Sequence, residues 1–192
     1  MRLLVRLTAP ARVRPRSRES LVLPLYLMMA GAGGLWSALR GHLNVWRIQQ
    51  HPDPSPIAGA VIGIAFGLML VGASRVSVAR YGWARSLEQD FRHRLGPLTA
   101  RECWMLALAS SLGEEILFRG ALMPAVGVGL SSVIFALMHI GQFPRYLPWT
   151  ASALVAGLGF GLLYKWSGDL TGPVLAHFLV NYLNLRRLGH RG

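Results

Sequence analysis

The chain consists of long apolar runs separated by short segments that are rich in arginine, proline and glycine. Three stretches contain no charged residue: 21–39, 55–74 and 120–138. A helix of roughly 20 apolar residues can cross about 30 Å of hydrocarbon. The pattern predicts spans at about 21–39, 57–74, 100–123, 128–143, 147–166 and 174–185. We therefore predict an all-α protein, a polytopic membrane helical bundle of about six transmembrane helices.

Local signals mark the boundaries of these helices. Thr99-Ala-Arg-Glu102 matches a capping box and marks the start of the third span. Pro124 and Gly127 mark its end, and Pro144 ends the fourth span. The segment 75–98 mixes arginines with aromatic and aliphatic residues, which fits an amphipathic helix at the lipid headgroups. It fits an ordinary polar connector equally well.

The first 20 residues form a basic tail that contains proline and precedes the first apolar run. This arrangement is similar to a signal peptide, but the run is about 19 residues long and a signal core has roughly 7–15. No convincing cleavage site follows, so we predict a retained first transmembrane helix. The predicted organisation is a tail at 1–20 and a single transmembrane domain at 21–192, with the catalytic core at about 100–185.

Composition and charge agree with a membrane protein. The chain is 53% hydrophobic and 15% charged, whereas soluble domains carry about 25% charged residues. The net charge of +12 does not indicate nucleic acid, because the arginines flank apolar spans and are not interleaved with exposed aromatic residues on a soluble module. Six spans would place most of the arginines on the side of the two termini, which the positive-inside rule assigns to the cytoplasm. The single cysteine, Cys103, excludes an intrachain disulfide and a cysteine-rich metal site.

Polar residues at helical spacing occur within three late spans. They are Glu114, Glu115 and Arg119 on the third, Phe135 and His139 on the fourth, and His177 and Asn181 on the sixth. A charged group at the centre of a bilayer costs about 2.5–3.5 kcal/mol, so ionisable residues there are candidates for function. Residues four apart share a helix face, which predicts an ion pair between Glu115 and Arg119. Glu114 lies about 100° around the helix and can face another neighbour, such as His139.

Two kinds of chemistry suit this set of residues. A carboxylate in an apolar pocket can act as a general base near neutral pH. A histidine can then hold the water, and the His177–Asn181 pair can stabilise an oxyanion. Alternatively, Glu114, His139 and His177 form a His₂Glu set of the kind that holds catalytic zinc. The residues do not choose between the two. We lean slightly towards zinc, because two neutral histidines and a carboxylate suit it better than bare water in an apolar pocket.

The three motifs together resemble those of the CPBP intramembrane proteases, which include the type II CAAX prenyl endopeptidases and bacterial Abi-type proteins. That family's pattern is E-E-x-x-x-R, then F-x-x-x-H, then H-x-x-x-N or H-x-x-x-D, and the resemblance covers about 100–185. It implies a helical membrane fold that cleaves peptide bonds near a membrane-embedded cavity. It also implies that Glu114 and His139 activate water, and that His177 and Asn181 bind water, metal or oxyanion.

Arginine outnumbers lysine by 19 to 1, which suggests a GC-rich bacterial source and hence the bacterial cytoplasmic membrane. Bacteria generally lack prenylated CAAX proteins, so we expect a membrane-anchored or lipidated protein as substrate. The myxosortase-like branch of the family, thought to process C-terminal sorting tails, is one candidate. The predicted partners are this substrate and membrane lipids, with no nucleic acid. The alternatives are a non-enzymatic scaffold or bacteriocin-immunity-type protein of the same fold, and a transporter, although no inverted repeat is visible.

Overall fold

The computed structural model describes residues 18–49, 51–141 and 144–189, and the side chains from residue 22 onward within them. The elements are α1 Arg18–Leu39, α2 Pro56–Arg80, α3 Gly82–Leu95, α4 Ala100–Glu115, a π-helical segment Ile116–Leu122, α5 Met123–Leu137, a 3₁₀ turn Pro144–Tyr146, α6 Leu147–Ser167 and α7 Thr171–Gly189. Within these ranges the only extended pairing is an isolated bridge between Arg47 and Asp169. The predicted all-α bundle is confirmed. Most of the predicted basic tail lies outside the described residues.

Within the described residues, four helical runs are long and apolar enough to cross a membrane: Val22–Leu39, Pro56–Arg80, Ala100–Leu137 and Pro144–Ser167. They make this an integral membrane protein. Each of the six predicted spans corresponds to a helix, but the third and fourth form one run of 38 residues. That run bends at Gly127, whose φ of +83° is a left-handed conformation open to glycine. The sixth predicted span corresponds to α7, which is not among these four runs because its histidine, asparagine and arginine residues make it less apolar.

The helices alternate in direction, so their ends meet at two opposite faces of the bundle. At one face the Leu98 amide donates a hydrogen bond to the Gly189 carbonyl, 3.3 Å away, which joins the start of α4 to the end of α7. At the other face the α1–α2 loop meets the α6–α7 turn, where the Ile48 amide donates to the Gly168 carbonyl at 3.0 Å. We call the first face the basic end. Its arginines are Arg75, Arg80, Arg85, Arg92, Arg94, Arg101, Arg145, Arg186 and Arg187.

Close packing of α2 against α7 holds the most polar helix inside the bundle. Glycines recur at every fourth position of α2, at 59, 63 and 67, and all three are buried. A Cβ on Gly63 would lie 2.2 Å from the Gly172 carbonyl oxygen, and one on Gly67 would lie 2.8 Å from that of Ala176. Only residues without side chains allow two helices to approach so closely, as is common in membrane proteins. This contact fixes the depth of α7 and of His177, which follows Ala176.

Candidate active site

The centre of the site is Glu115, which lies at the end of α4 and is fully buried. Its Oε1 atom accepts hydrogen bonds from Arg119 Nη1 and His177 Nδ1, both at 2.8 Å. The structure therefore contains the ion pair predicted from the four-residue spacing. It also adds His177 from α7 to the same oxygen, a contact between residues 62 positions apart.

Arg119 is almost fully buried, and its charge is satisfied by protein groups. Besides Glu115, its Nη2 donates to the Gly157 carbonyl at 3.2 Å. The guanidinium carbon lies 4.3 Å from the centre of the Phe135 ring and 5.4 Å from that of Phe160. A cation over an aromatic face gains up to about 2 kcal/mol when it is desolvated. Arg119 is thus a fixed structural cation that holds Glu115 in place.

Phe135 links this ion pair to both histidines. Its ring centre lies 4.5 Å from that of His139 and 5.9 Å from that of His177. In the sequence, Phe135 is recognisable only as the first residue of the F-x-x-x-H pattern. The structure places it between Arg119 and the two imidazoles, where its apolar faces exclude water from one side of the site.

Each histidine has its Nδ1 atom committed to a fixed partner. His139 Nδ1 lies 2.8 Å from the Phe135 carbonyl oxygen, and His177 Nδ1 lies at the same distance from Glu115. A carbonyl and a carboxylate can only accept, so both Nδ1 atoms carry the proton. In the neutral imidazole the remaining Nε2 atom is then an acceptor.

Both of these acceptors face Glu114. Its Oε2 atom lies 3.9 Å from His139 Nε2 and 3.8 Å from His177 Nε2. These distances are too long for direct hydrogen bonds, and Oε2 is buried without a hydrogen-bond partner. The prediction that Glu114 turns towards His139 is thus met, with His177 as a second neighbour. Three acceptors around one point suit a water molecule, which brings two hydrogens, or a cation.

The same atoms are spaced more widely than the ligands of a tetrahedral zinc ion. Ligand atoms about 2.0–2.1 Å from a tetrahedral zinc lie roughly 3.3 Å apart, and both distances from Glu114 to the histidines exceed this. No group of three or more His, Cys, Asp or Glu in the described part of the chain has the arrangement of a metal site. The chemistry of the donors still fits, because zinc-binding histidines typically have their second nitrogen bonded to a carbonyl or carboxylate. The zinc prediction therefore stays a prediction.

Asn181 forms a hydrogen bond with a residue of α4. Its Nδ2 donates to Ser110 Oγ at 2.9 Å, and Ser110 in turn donates to the Ala107 carbonyl at 3.2 Å. Ser110 is one helical turn before Glu114, so Asn181 lies beside the site and ties α7 to α4. The amide has a second N–H, and its predicted role at an oxyanion stays a prediction.

One polar residue at the site was missed by sequence reasoning. Tyr26 of α1 packs against α4 so closely that a Cβ on Gly113 would lie 2.7 Å from the Tyr26 carbonyl oxygen. Its hydroxyl lies close to the Glu114 carboxylate. Gly33, two turns further along the same face of α1, allows an equally close approach to Leu117. No motif marks Tyr26, because only hydropathy was used to assign α1.

Two local details around the site also differ from the predictions. The predicted α-helix over 100–123 changes to a π-helix at Ile116–Leu122, the segment that contains Arg119. Such wide turns are rare and often occur at functional sites. The fourth helix, expected to reach residue 143, ends at Leu137. His139 thus lies in the turn that follows, with 21% of its side chain exposed.

Comparison with known proteins finds a family match over the part of the chain that holds these residues. Residues 97–183 match the family model of Rce1-like type II CAAX prenyl endopeptidases, and all six predicted site residues lie in that region. This part of the chain is therefore similar to the Rce1-like family. The uncharacterized protein YpbD of Bacillus subtilis (strain 168) is 39% identical over 79 residues, which cover 40% of this chain and 40% of that protein. No solved structure matches the chain. Tyr26, on α1, lies outside the Rce1-like region.

Proposed function

We propose that the protein is an intramembrane endopeptidase that hydrolyses a peptide bond of a membrane-associated protein with a water molecule activated by Glu114. The observation that carries this proposal is the buried Oε2 atom of Glu114, which has no partner of its own and faces two imidazole acceptors. The similarity of the segment that holds these residues to Rce1-like endopeptidases supports the same reaction class.

In the proposed reaction the water donates one hydrogen to Glu114 and its oxygen attacks the carbonyl carbon of the substrate. His139 or His177 accepts a hydrogen bond from the other O–H of the water and so orients it, and this hydrogen stays on the attacking oxygen. The proton taken by Glu114 then passes to the leaving nitrogen as the C–N bond breaks. A well-placed general base typically contributes about 10²–10⁴-fold to the rate. Asn181 and the Tyr26 hydroxyl are nearby donors for the negative charge that develops on the carbonyl oxygen.

Glu115 and Arg119 support this chemistry without taking part in it. Glu115 accepts a hydrogen bond from the Nδ1–H group of His177, which keeps the lone pair of Nε2 directed at Glu114. Arg119 donates a hydrogen bond to Glu115 and holds it in position. A carboxylate behind a histidine is the usual way in which enzymes set its tautomer and its orientation.

A second candidate is a metalloprotease that uses the same residues. The observation in its favour is the engagement of both Nδ1 atoms, which leaves two Nε2 lone pairs and a carboxylate as possible ligands. Glu114, His139 and His177 would hold the ion. Once bound, a divalent ion such as zinc would acidify a water molecule and polarise the substrate carbonyl.

The proposed setting is the bacterial cytoplasmic membrane, with the basic end and both termini in the cytoplasm. The basic end carries nine arginines with described side chains, whereas Arg40, Arg47 and Lys165 are the described cations near the other end. This difference supports the proposed orientation. His139 lies in a turn near the basic end, so we propose that the site opens towards the cytoplasmic side. The proposed substrate carries a membrane anchor or lipid near the scissile bond, as a C-terminal sorting tail of the myxosortase type would.

The test is a cleavage assay with purified full-length protein and a panel of lipidated and C-terminal anchor peptides. Glu114→Gln is nearly isosteric but cannot accept the proton, so we expect cleavage to fall by about 10²–10⁴-fold while the protein stays folded. Glu102→Gln is the matched control on the same helix, because glutamine also serves in a capping box. Near-normal cleavage by Glu114→Gln would refute the assignment of the base. Wild-type protein that binds these peptides without cleaving them would favour the scaffold or immunity-type alternative.

A further inference from the structure

Helix α3 lies where a membrane span ends. The candidate span α2 ends at Arg80, and a single residue, Tyr81, separates it from α3. The 14 residues of α3 are amphipathic: Ala84 is buried against the bundle, whereas Trp83 and His93 are exposed. A short amphipathic helix that directly follows a span lies at the level of the lipid headgroups.

The acidic residues of α3 turn inward and are neutralised there. Glu88 forms an ion pair with Arg187 of α7 at 3.0 Å. Asp90 accepts a hydrogen bond from the Tyr146 hydroxyl and pairs with Arg145 at 3.1 Å. The hydrogen bond from Tyr146 and the neighbouring arginines hold the pKa of the Asp90 carboxyl below its ordinary value. The outward surface of this end therefore keeps its positive charge.

Two exposed arginines near the end of α2, Arg75 and Arg80, have no ion pair or hydrogen bond from their side chains within the described ranges. Tyr81 and Trp83 lie beside them and stack on each other, with ring centres 6.1 Å apart, and each is 51% exposed. Tyrosine and tryptophan favour the interface between hydrocarbon and water. We call these four residues the basic rim.

We propose that the basic rim binds the headgroups of anionic phospholipids. The phosphate of such a lipid matches the arginines in charge, and its glycerol and acyl region matches the two half-exposed rings. A free phosphate ion would use the arginines alone. The position of the rim at the end of a span therefore favours the lipid as its occupant.

A short series of contacts connects α3 to the candidate active site. Phe91 packs edge-on against Trp149, with ring centres 5.2 Å apart. Trp149 packs in the same way against His139 at 5.4 Å, and Thr150 Oγ1 donates to the His139 carbonyl at 2.9 Å. A lipid that holds α3 against α6 therefore also steadies His139. This consequence for activity rests on the proposed function, whereas lipid binding does not.

The binding test uses full-length protein in neutral detergent, titrated separately with phosphatidylglycerol, phosphatidylcholine and inorganic phosphate. We expect phosphatidylglycerol to raise the midpoint of thermal unfolding by several degrees and the other two to change it little. The shift should shrink at high salt, because exposed charges are screened. Equal shifts with both lipids, or a shift with inorganic phosphate alone, would overturn the proposal.

The double variant Arg75→Gln/Arg80→Gln should lose most of the shift with phosphatidylglycerol. The matched control is Arg40→Gln/Lys165→Gln, which removes two exposed cations from the other end of the bundle and should keep the full shift. Equal behaviour of the two variants would also refute the proposal. If the first variant does not fold, the lipid preference and salt dependence of the wild-type protein still decide.

Cleavage in phosphatidylcholine vesicles with and without phosphatidylglycerol then tests the link to His139. We expect several-fold faster cleavage with the anionic lipid, and a smaller ratio for Phe91→Ala. Equal rates in both vesicles would contradict the link alone. A protein that cleaves in neither vesicle yet keeps its selective shift would refute the proposed function and leave the lipid site standing.

Discussion

At the scale of single residues, one oxygen of Glu115 connects two other residues of the site, although the motif alone predicts only one of these contacts. It accepts hydrogen bonds from an arginine on its own helical run and from a histidine on α7. Neither donor has ready access to water, because Arg119 and His177 are buried to within a few per cent. Removing Arg119 or His177 therefore leaves the buried Glu115 carboxylate with one hydrogen bond fewer, and bulk water cannot reach it to replace that bond.

We expect Arg119→Ala to destabilise the protein by about 3–5 kcal/mol, the usual effect of breaking a buried ion pair. The measurements are accumulation in the membrane and thermal unfolding of purified protein. Arg94→Ala is the control, because Arg94 also forms an ion pair four residues apart but half of its side chain is exposed. Exposed pairs contribute about 0–1 kcal/mol. Normal accumulation and unfolding of Arg119→Ala would contradict the structural role of the Glu115–Arg119 pair.

At the scale of elements, α3 is attached to the start of α6 by charge and by aromatic packing. Asp90 bonds to Tyr146 and Arg145 of the 3₁₀ turn, and Phe91 packs against Tyr146 and Trp149. Hydropathy could not predict this contact, because α3 is too polar to be a span and its partner lies more than 50 residues away. The contact makes α3 a helix of the bundle, whereas a flexible connector would lack these bonds.

This attachment should weaken in acid. The pKa of Asp90 is lower in the folded protein than its ordinary 3.8. Its stabilising effect is therefore complete above that value and is lost as the pH falls through the lowered one. We expect Asp90→Asn to reduce the unfolding midpoint near neutral pH and to converge with the wild type in acid. Asp53→Asn, at an exposed loop position, is the control for general acid effects. A constant difference between Asp90→Asn and the wild type at all pH values would contradict this assignment.

At the scale of the whole molecule, the candidate site exists only because helices far apart in sequence approach closely. Glu114, His139 and His177 come from α4, from the turn after α5, and from α7. The glycines of α2 set the depth of α7, and α1 presses Tyr26 against the same helix as Glu114. The distances from Glu114 to His139 and His177 therefore depend on how the bundle packs. The same distances determine whether a water molecule or a metal ion fits between the three residues.

That spacing leads us to expect chelator-resistant activity. The distances from Glu114 to the histidines, 3.9 and 3.8 Å, exceed the roughly 3.3 Å between ligands of a tetrahedral zinc. Metal analysis of active protein should show no stoichiometric ion, and cleavage should persist after treatment with a strong chelator. About one divalent ion per chain, together with loss of activity on chelation and recovery with zinc, would favour the metalloprotease instead. His177→Ala should then also lose the ion.

Much of the molecule could be predicted from local sequence. Hydropathy marked the helical spans, because twenty apolar residues in a row have few other solutions in lipid. The capping box at Thr99 and Glu102 placed the start of α4 where the structure has it. The spacing of Glu115 and Arg119 predicted their pair, since residues four apart meet on any helix. These signals work because each involves neighbours along the chain.

The sequence by itself thus determined the all-α membrane architecture, the family motifs and the set of candidate residues. Only the tertiary structure decided that His177 bonds to Glu115, that Tyr26 reaches Glu114 and that Asn181 turns to Ser110. The physical reason is that these contacts join residues between 62 and 88 positions apart. Their geometry depends on how closely glycine-lined helices approach, and no local pattern encodes that distance.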